Sequence, residues 1–267
     1  GWSAGHSVVE IITDDMPFLV DSVTASLQRQ GRAIHLVIHP QMVVRRDVVG
    51  ALEEILDVDD DDTEVPAGAT VESWMHVEID RETDEGDLRL IERELDAVLR
   101  DVREAVEDWP RMIARATEVA DELEARPPAT VEAGETSESV DLVRWLVDDH
   151  FTFLGYREYV LSADGESLDP VPGTGLGLLR SDRPASQGFA KLSPEVRARA
   201  REPKVLVLTK ANSRSTVHRS TYLDYVGVKV FDESGAVVGE CRFPGLYTSP
   251  AYTQSVQSIP VLRRKAE

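Results

Sequence analysis

The longest regular pattern in the sequence is an apolar stripe over residues 88–109. Its seven members are spaced three and four residues apart in alternation: Leu88, Ile91, Leu95, Val98, Val102, Ala105 and Trp109. This spacing places all seven side chains on one face of an α-helix. Pro110 should kink this helix or start a new one, because proline cannot donate to the preceding turn. A further apolar face continues to Arg126, so the sequence predicts a long helical arm.

A strand, an acidic turn and a helix are predicted before this arm. Residues 8–12 are apolar and β-branched around one glutamate, which is typical of a buried strand. Pro17 suits the first turn of a helix, with Asp15 as its N-cap, and Gly31 should close that helix. The order of these elements is the start of an α+β domain.

Two further β-rich stretches follow before the arm. Residues 33–46 read as strand with a bend or edge position at Pro40, and residues 74–79 alternate in the way of a strand with one buried face. Between them, residues 57–70 are dominated by aspartate and end in proline and glycine, which predicts a solvated loop.

The composition changes again after the arm. Residues 127–138 are rich in proline, threonine, serine and glutamate, so we interpret them as a linker between a first domain at 1–126 and a second at 139–267. The second domain is predicted to contain a helix, an aromatic strand at 151–161, a long loop, and a hairpin that pairs residues 222–231 with residues 236–243.

Charge and cysteine content exclude several classes of function. The chain carries 49 acidic and 29 basic side chains, a net charge of −20. Such a surface repels nucleic acids and anionic membranes. The single cysteine, Cys241, excludes an internal disulfide and multi-cysteine metal sites, so we expect a reducing, cytoplasmic compartment. No apolar run is long enough for a membrane span. The chain begins Gly-Trp-Ser without an initiator methionine, and we therefore expect it to be part of a longer protein.

Three segments resemble a known family. They are the residues 13–23 (Thr-Asp-Asp-Met-Pro-Phe-Leu-Val-Asp-Ser-Val), 148–156 (Asp-Asp-His-Phe-Thr-Phe-Leu-Gly-Tyr) and 222–229 (Tyr-Leu-Asp-Tyr-Val-Gly-Val-Lys). Together they resemble the N-terminal region of the large NAD-specific glutamate dehydrogenases of bacteria. Because the matches are long and widely separated, they are more specific than any one of them alone.

The resemblance implies a parent oxidoreductase that converts L-glutamate, NAD and water to 2-oxoglutarate, ammonium and NADH. It places the dehydrogenase domain C-terminal to this chain and makes the chain a regulatory segment with ACT-like modules. The predicted strand–helix–strand–strand–helix order is most of the ferredoxin-like βαββαβ plan of an ACT domain. We expect this domain to carry the helical arm, and a second mixed α+β domain, ACT-like or PAS-like, to follow. NAD belongs to the parent, and no cofactor site is expected in this chain.

The turn of the first domain is a candidate effector site. Asp14, Asp15, Met16, Pro17, Phe18 and Leu19 resemble the ACT turn, which carries Asp-x-Pro-Gly-Leu. In amino-acid-binding ACT modules the residue after the proline is typically glycine, which lets a ligand approach the helix N-terminus. Here it is Phe18, whose ring should fill that space or pack on a neighbouring module. This departure weakens the prediction of an amino-acid effector but leaves the predicted fold intact.

Other candidate chemistry is explained more simply by structure. The run Gly173–Gly177 lacks the third glycine of a dinucleotide fingerprint, the aspartates 57–62 lack the glycine and glutamate of a calcium loop, and the histidines do not supply three zinc ligands at a suitable spacing. Cys241 has a single basic neighbour and no evident partner base. We therefore predict no catalytic, cofactor-binding or metal-binding residue.

A basic cluster is the last feature that bears on function. Arg214, His218 and Arg219, together with Lys204, Lys210 and Lys229, stand out in an acidic chain. They could receive a carboxylate or phosphate ligand, but we favour an interdomain or intersubunit contact. The sequence thus predicts a non-catalytic regulatory and oligomerisation segment whose partners are other domains and subunits of a homo-oligomeric parent. The alternative is an allosteric module that senses an amino acid at residues 14–19.

Overall fold

The computed structural model describes residues 5–57, 65–181 and 194–265. Over these residues the chain divides into two compact units. Unit 1 comprises residues 1–102 and the short segment 216–220, and unit 2 comprises residues 103–215 and 221–267. Residues 58–64 of the acidic loop predicted at 57–70 lie outside the described residues.

Unit 1 contains an antiparallel sheet. Its strands are β1 (Ser7–Asp14), β2 (Ile34–Ile38), β3 (Gln41–Arg46), β4 (Leu52–Leu56) and β5 (Thr70–Ile79). They lie in the order β1-β5-β3-β4, and β2 also pairs with β5. The alternation predicted for residues 74–79 is confirmed, because Met75, Val77 and Ile79 are buried on one face. The β-rich stretch 33–46 is interrupted at Pro40, as predicted, while β4 was not predicted.

Helix α1 (Leu19–Arg29) follows β1 and buries one apolar stripe. Leu19, Val23 and Leu27 are at most 2% exposed. The predicted closure at Gly31 is confirmed: this residue has φ +74°, and the N–H of Arg32 donates to the Leu27 carbonyl (3.1 Å). The predicted N-cap is wrong, because the capping position is Phe18 and its side chain forms no capping hydrogen bond.

Helix α2 (Glu85–Ala125) is the predicted arm, and it continues through Pro110 as one helix of 41 residues. Five of the seven stripe residues are buried, namely Ile91, Leu95, Val98, Val102 and Ala105. Leu88 is exposed and Trp109 is half-buried. The seven-residue pattern therefore identified the helix correctly and overestimated the buried face at its ends.

The predicted βαββαβ order is not completed in the described residues. Helix α2 is followed by a second helix, α3 (Ala133–Trp145), and β5 is the only described strand that pairs with β1. The contact-based division also differs from the predicted domains, since it falls between Val102 and Arg103 rather than at 126. The physical reason is that the second half of the arm contributes its apolar face to the core of unit 2.

Unit 2 is built on a second antiparallel sheet. Its strands are β6 (Phe151–Phe153), β7 (Gly155–Leu161), β8 (Leu168–Pro170), β9 (Leu176–Gly177), β10 (Leu206–Arg214), β11 (Tyr222–Phe231) and β12 (Val237–Tyr247). The main order is β10-β11-β12-β7-β8. Two further helices, α4 (Pro194–Arg201) and α5 (Ser249–Thr253), complete the unit.

The core of unit 2 joins α2 and α3 to the sheet. Met112 and Ala116 of α2, Val143 of α3, and Val226 and Phe243 of the sheet belong to one buried cluster. The predicted hairpin is confirmed, with β11 and β12 joined across a turn that has Gly235 at φ +80°. The 148–156 motif forms the junction from α3 through a wide helical turn at Leu146–His150 into β6 and β7.

Candidate functional site

The candidate effector turn lies between β1 and α1 in unit 1. Asp14 ends β1, and the backbone N–H of Asp15 donates to the Val71 carbonyl on β5 (3.0 Å). The Asp15 carboxylate accepts hydrogen bonds from the Ser73 hydroxyl (2.5 Å) and from Nε2 of Gln41 (2.7 Å). Asp15 therefore fixes the turn to the sheet and does not cap the helix.

Phe18 holds an unusual backbone conformation at the start of α1. Its φ is +72° and its ψ is 0°, in the left-handed region that glycine adopts freely. Phe18 thus holds a conformation that favours glycine while carrying a half-buried aromatic side chain. Met16 is half-buried, Pro17 is exposed, and Leu19 begins the helix.

The structure brings one member of the basic cluster to this turn. His218 lies in the segment 216–220, which belongs to unit 1, and its ring centroid is 5.0 Å from that of Phe18. Its Nδ1 lies 2.9 Å from Oδ2 of Asp21, and its backbone N–H donates to the Ser22 hydroxyl (2.8 Å). The Asp14–Leu19 turn and the basic cluster, predicted as two separate sites, therefore meet at His218. Their separation of almost 200 residues left no local signal of this contact.

The other basic residues are distributed among separate partners. The Arg214 guanidinium lies over the Tyr222 ring at 4.8 Å in unit 2, and Arg219 is exposed. Lys204 pairs with Glu202, and Lys210 pairs with Asp224. Lys229 is buried and donates to the carbonyls of Arg199 and Glu202, and burial lowers the pKa of its ammonium group. The described lysines therefore serve local pairs rather than one common patch.

The glycine run of unit 2 has a packing role. A Cβ on Gly175 would lie 2.1 Å from the Leu179 carbonyl oxygen, and one on Gly177 would lie 2.3 Å from that of Leu154. The N–H of Gly177 donates to Oδ2 of Asp108 on α2 (2.9 Å), and Nε of Arg180 donates to the same oxygen (2.8 Å).

Asp108 is the buried anchor of this run. Only 2% of it is exposed. Burial alone would raise the pKa of Asp108, but the bonds from Arg180 and Gly177 outweigh it and hold that pKa below its usual value. Ionised Asp108 therefore fixes the glycine run to α2, and the sequence gave no sign of this contact.

A polar cluster surrounds Cys241 in unit 2. The Tyr156 hydroxyl lies 3.7 Å from the Cys241 Sγ and donates to Glu158 (2.8 Å), and Arg115 donates to that same carboxylate (2.7 Å). Burial raises the pKa of the Cys241 thiol to about 11, and burial likewise raises the pKa of Tyr156. A thiol in this state is a weak nucleophile at neutral pH. A groove of about 680 Å³ runs past it, between α2 and β11.

A second buried polar network was missed by sequence reasoning. Arg242 is 6% exposed, and its guanidinium lies 3.9 Å from the centre of the Tyr159 ring and 3.2 Å from the Glu240 carboxylate. Tyr225 also donates to Glu240, whose pKa is raised by burial. Alternating charged and aromatic residues on neighbouring strands are the only signal from which this network could have been predicted.

The described residues contain neither a metal-binding group nor a membrane-spanning helix. No group of three histidine, cysteine, aspartate or glutamate side chains within the ranges 5–57, 65–181 and 194–265 is arranged to hold a metal ion. Within the same part of the chain, no helix has an apolar stretch long enough to cross a bilayer.

Comparison with known proteins identifies the first unit. Residues 1–95 match the family model described as the ACT1 domain of glutamate dehydrogenase. This match covers β1 through β5, α1 and the start of α2, so the predicted ACT-type domain is confirmed at the level of the family.

Three relatives that match nearly the whole chain are all NAD-specific glutamate dehydrogenases. The chain is 35% identical over its full length to an NAD-specific glutamate dehydrogenase of Halomonas elongata, of which it covers 17%. It is 40% identical to that of Pseudomonas aeruginosa over 99% of its length, covering 16% of the relative. It is 30% identical to that of Mycobacterium tuberculosis over 96% of its length, covering 15%. The chain spans about one sixth of the length of these curated relatives. The predicted resemblance is therefore confirmed: along its whole length the chain is similar to one region of the large NAD-specific glutamate dehydrogenases, and its first 95 residues match their ACT1 domain.

Proposed function

We propose that the chain is a non-catalytic regulatory and oligomerisation segment of a large NAD-dependent glutamate dehydrogenase. The observation that carries this proposal is the pairing of an ACT1 domain at residues 1–95 with full-length similarity to only one sixth of each relative. The parent reaction would convert L-glutamate, NAD and water to 2-oxoglutarate, ammonium and NADH on residues outside this chain.

The titratable groups of the described residues support this proposal. Buried Asp108, Lys229 and Arg242 are each engaged by neighbouring side chains, carbonyls or rings, and the Cys241 thiol is held un-ionised. Such groups stabilise a fold, whereas catalytic groups generally have a pKa near the working pH and access to a substrate.

Exposed apolar strands support a role in assembly. On β2, Leu36, Val37 and Ile38 are 37–49% exposed, and on β4, Leu52 and Ile55 are 43% and 48% exposed. Apolar strand residues left on the surface in this number can be buried in a protein–protein contact. We therefore propose that the partners of the chain are other domains and subunits of a homo-oligomeric parent.

Unit 2 is proposed to be the PAS-like member of the two predicted alternatives. Its sheet order β10-β11-β12-β7-β8 is formed by two groups of consecutive strands with helices before the first strand and α4 between the groups. The ferredoxin-like plan instead places a helix after its first strand and another after its third. The observed order therefore disfavours a second ACT-like domain.

The experiment that tests the main proposal compares the 267-residue chain with its intact parent. The chain alone should form no NADH from L-glutamate and NAD and should show no saturable NAD binding by fluorescence. In the parent, Ile38→Glu should weaken subunit association, measured by mass photometry, with the Thr209→Glu variant of unit 2 as an exposed control. NADH formation by the isolated chain would overturn the proposal.

An amino-acid effector site at Asp14–Leu19 is the second candidate. The specific observation in its favour is the left-handed backbone of Phe18, which keeps the geometry of a glycine-containing ACT turn. Calorimetric titration of the chain with a panel of amino acids tests it, and a saturable heat lost in an Asp15→Ala variant would support it.

A further inference from the structure

The segment 216–220 covers the amino-terminal end of α1 within unit 1. Three contacts hold its central residue, His218. Its N–H donates to the Ser22 hydroxyl (2.8 Å), its Nδ1 lies 2.9 Å from the Asp21 carboxylate, and its ring lies 5.0 Å from that of Phe18. Because these residues lie in the turn and the first helical turn of α1, the segment covers part of the candidate effector turn.

The residues beside His218 anchor the segment. Val217 is fully buried, and the Thr216 hydroxyl donates to Oδ2 of Asp101 on α2 (2.7 Å), a residue that is only 8% exposed. On the other side, Ser220 lies within hydrogen-bond distance of Arg29 at the end of α1 (3.4 Å). The segment is thus held by a buried apolar side chain and by polar contacts to both helices of the unit.

The contact is made by two residues in a disfavoured backbone conformation. Phe18 has φ +72° and His218 has φ +64°, and neither is a glycine. Side chains in this region cost free energy that the surrounding contacts must offset, and such residues concentrate at ligand clamps and switch regions. The contacts around Phe18 and His218 must therefore offset this cost.

We propose that residues 216–220 are an internal plug of the α1 turn. The plug closes the turn Asp14–Leu19 to a free amino acid, and a ligand of that turn must displace it. This inference rests on the second candidate function, because it describes how access to that same site is regulated. The contact that controls access to the turn thus lies within the chain itself.

The contacts of the plug define the ligand chemistry that could compete with it. A competitor must supply an N–H donor to the Ser22 hydroxyl, a second donor or a cation to Asp21, and a flat group against Phe18. An amino acid whose ammonium group and aromatic or heterocyclic side chain are close together meets these requirements. L-Histidine is the probe that reproduces the plug most closely.

Hydrogen exchange of the 267-residue chain, read by mass spectrometry, tests docking of the plug. Ser22→Ala removes the hydroxyl that accepts the His218 backbone N–H, and His218→Ala keeps that bond but removes the ring contact with Phe18 and the contact with Asp21. We expect the amides of 216–220 to exchange up to about tenfold faster in both variants, with little change at Val77 in the sheet. His76→Ala is the matched control, since it removes a histidine of the same unit that contacts the Glu10 carboxylate instead (3.4 Å).

Addition of millimolar L-histidine then tests closure. In the wild-type chain, L-histidine should leave amide exchange at Leu19–Ser22 unchanged as long as the 216–220 amides stay protected, because the docked plug closes the turn. Protection of Leu19–Ser22 by L-histidine with the plug still docked would overturn the proposal, and so would unaltered 216–220 exchange in both variants. The exchange of the 216–220 amides in the variants tests the plug, whereas the saturable heat of amino-acid binding tests the effector site, so failure of one is distinguishable from failure of the other.

Discussion

The left-handed backbone at Phe18 predicts that glycine is tolerated better than alanine at this position. Replacement by alanine or by glycine removes the same ring contact with His218. In a helix interior alanine would be the more stabilising of the two, because glycine loses more chain entropy on folding. At φ +72°, however, alanine retains the steric cost of the left-handed region and glycine does not.

The magnitudes follow from these terms. The ring contact contributes about 1 kcal/mol, and both variants lose it. The left-handed conformation costs a non-glycine residue about 1–2 kcal/mol. Glycine avoids that cost but gives back about 0.5–1 kcal/mol of unfolded-state entropy. We therefore expect Phe18→Ala to be destabilised by about 1 kcal/mol and Phe18→Gly to be close to wild type.

Native-state hydrogen exchange at Val23 and Leu27 measures this difference, because both residues are fully buried in α1 and report the opening of unit 1. Gly31→Ala calibrates the conformational cost in the same helix. Gly31 has φ +74°, and an added Cβ would meet no atom within 4 Å, so the change in stability reports the backbone strain less the gain from the lower unfolded-state entropy of alanine. A Phe18→Ala variant as stable as Phe18→Gly, beside a destabilised Gly31→Ala variant, would refute the reasoning.

Three further predictions concern buried groups. Arg46 holds the pKa of Glu72 below its usual value through bonds from Nε (2.5 Å) and Nη2 (2.8 Å). The pair therefore stabilises unit 1 above the unfolded-state pKa of about 4.3, and this contribution is lost as the pH falls through the lower folded-state pKa. Glu72→Gln should lose about 2 kcal/mol in urea unfolding at neutral pH and much less at pH 3; a constant difference would contradict the assignment. Cys241, whose thiol pKa is raised to about 11, should react with a thiol reagent at pH 8 only when unit 2 opens, and rapid stoichiometric labelling of the native chain would contradict its burial. Gly177→Ala should cost more than about 2 kcal/mol in thermal unfolding, because its Cβ would meet a backbone oxygen at 2.3 Å, and a wild-type melting temperature would contradict that packing.

The elements best predicted from the sequence are those whose signal is local. The stripe of α2, the glycine closure of α1 and the β11–β12 hairpin each depend on residues a few positions apart. The strand β4 was missed because two adjacent glutamates interrupt its apolar pattern. The sequence also left open which core buries the second half of α2, since apolar periodicity shows that a helix has a buried face but not which core it faces.

The candidate site was only half predictable for the same physical reason. The turn was found because proline and acidic residues mark it locally, and its departure at Phe18 was visible in the sequence. The left-handed conformation of His218 was not visible, because residues other than glycine adopt it only under tertiary contacts. The bond that the Gly177 N–H donates to Asp108 and the contact between His218 and Asp21 join residues far apart in the chain. Nothing in the local sequence around these residues indicates either partner.

Docking of the plug changes what a ligand of this turn could do to the parent enzyme. A ligand that binds two states equally shifts neither, however tightly it binds. On an open turn, an amino acid could bind without discriminating between any two states of unit 1. In the proposed arrangement, a ligand of the turn would use the side chains that hold the plug, Phe18, Asp21 and Ser22, so each would exclude the other. A ligand would therefore bind the undocked state more tightly than the docked state. This difference in affinity is the coupling that regulation requires.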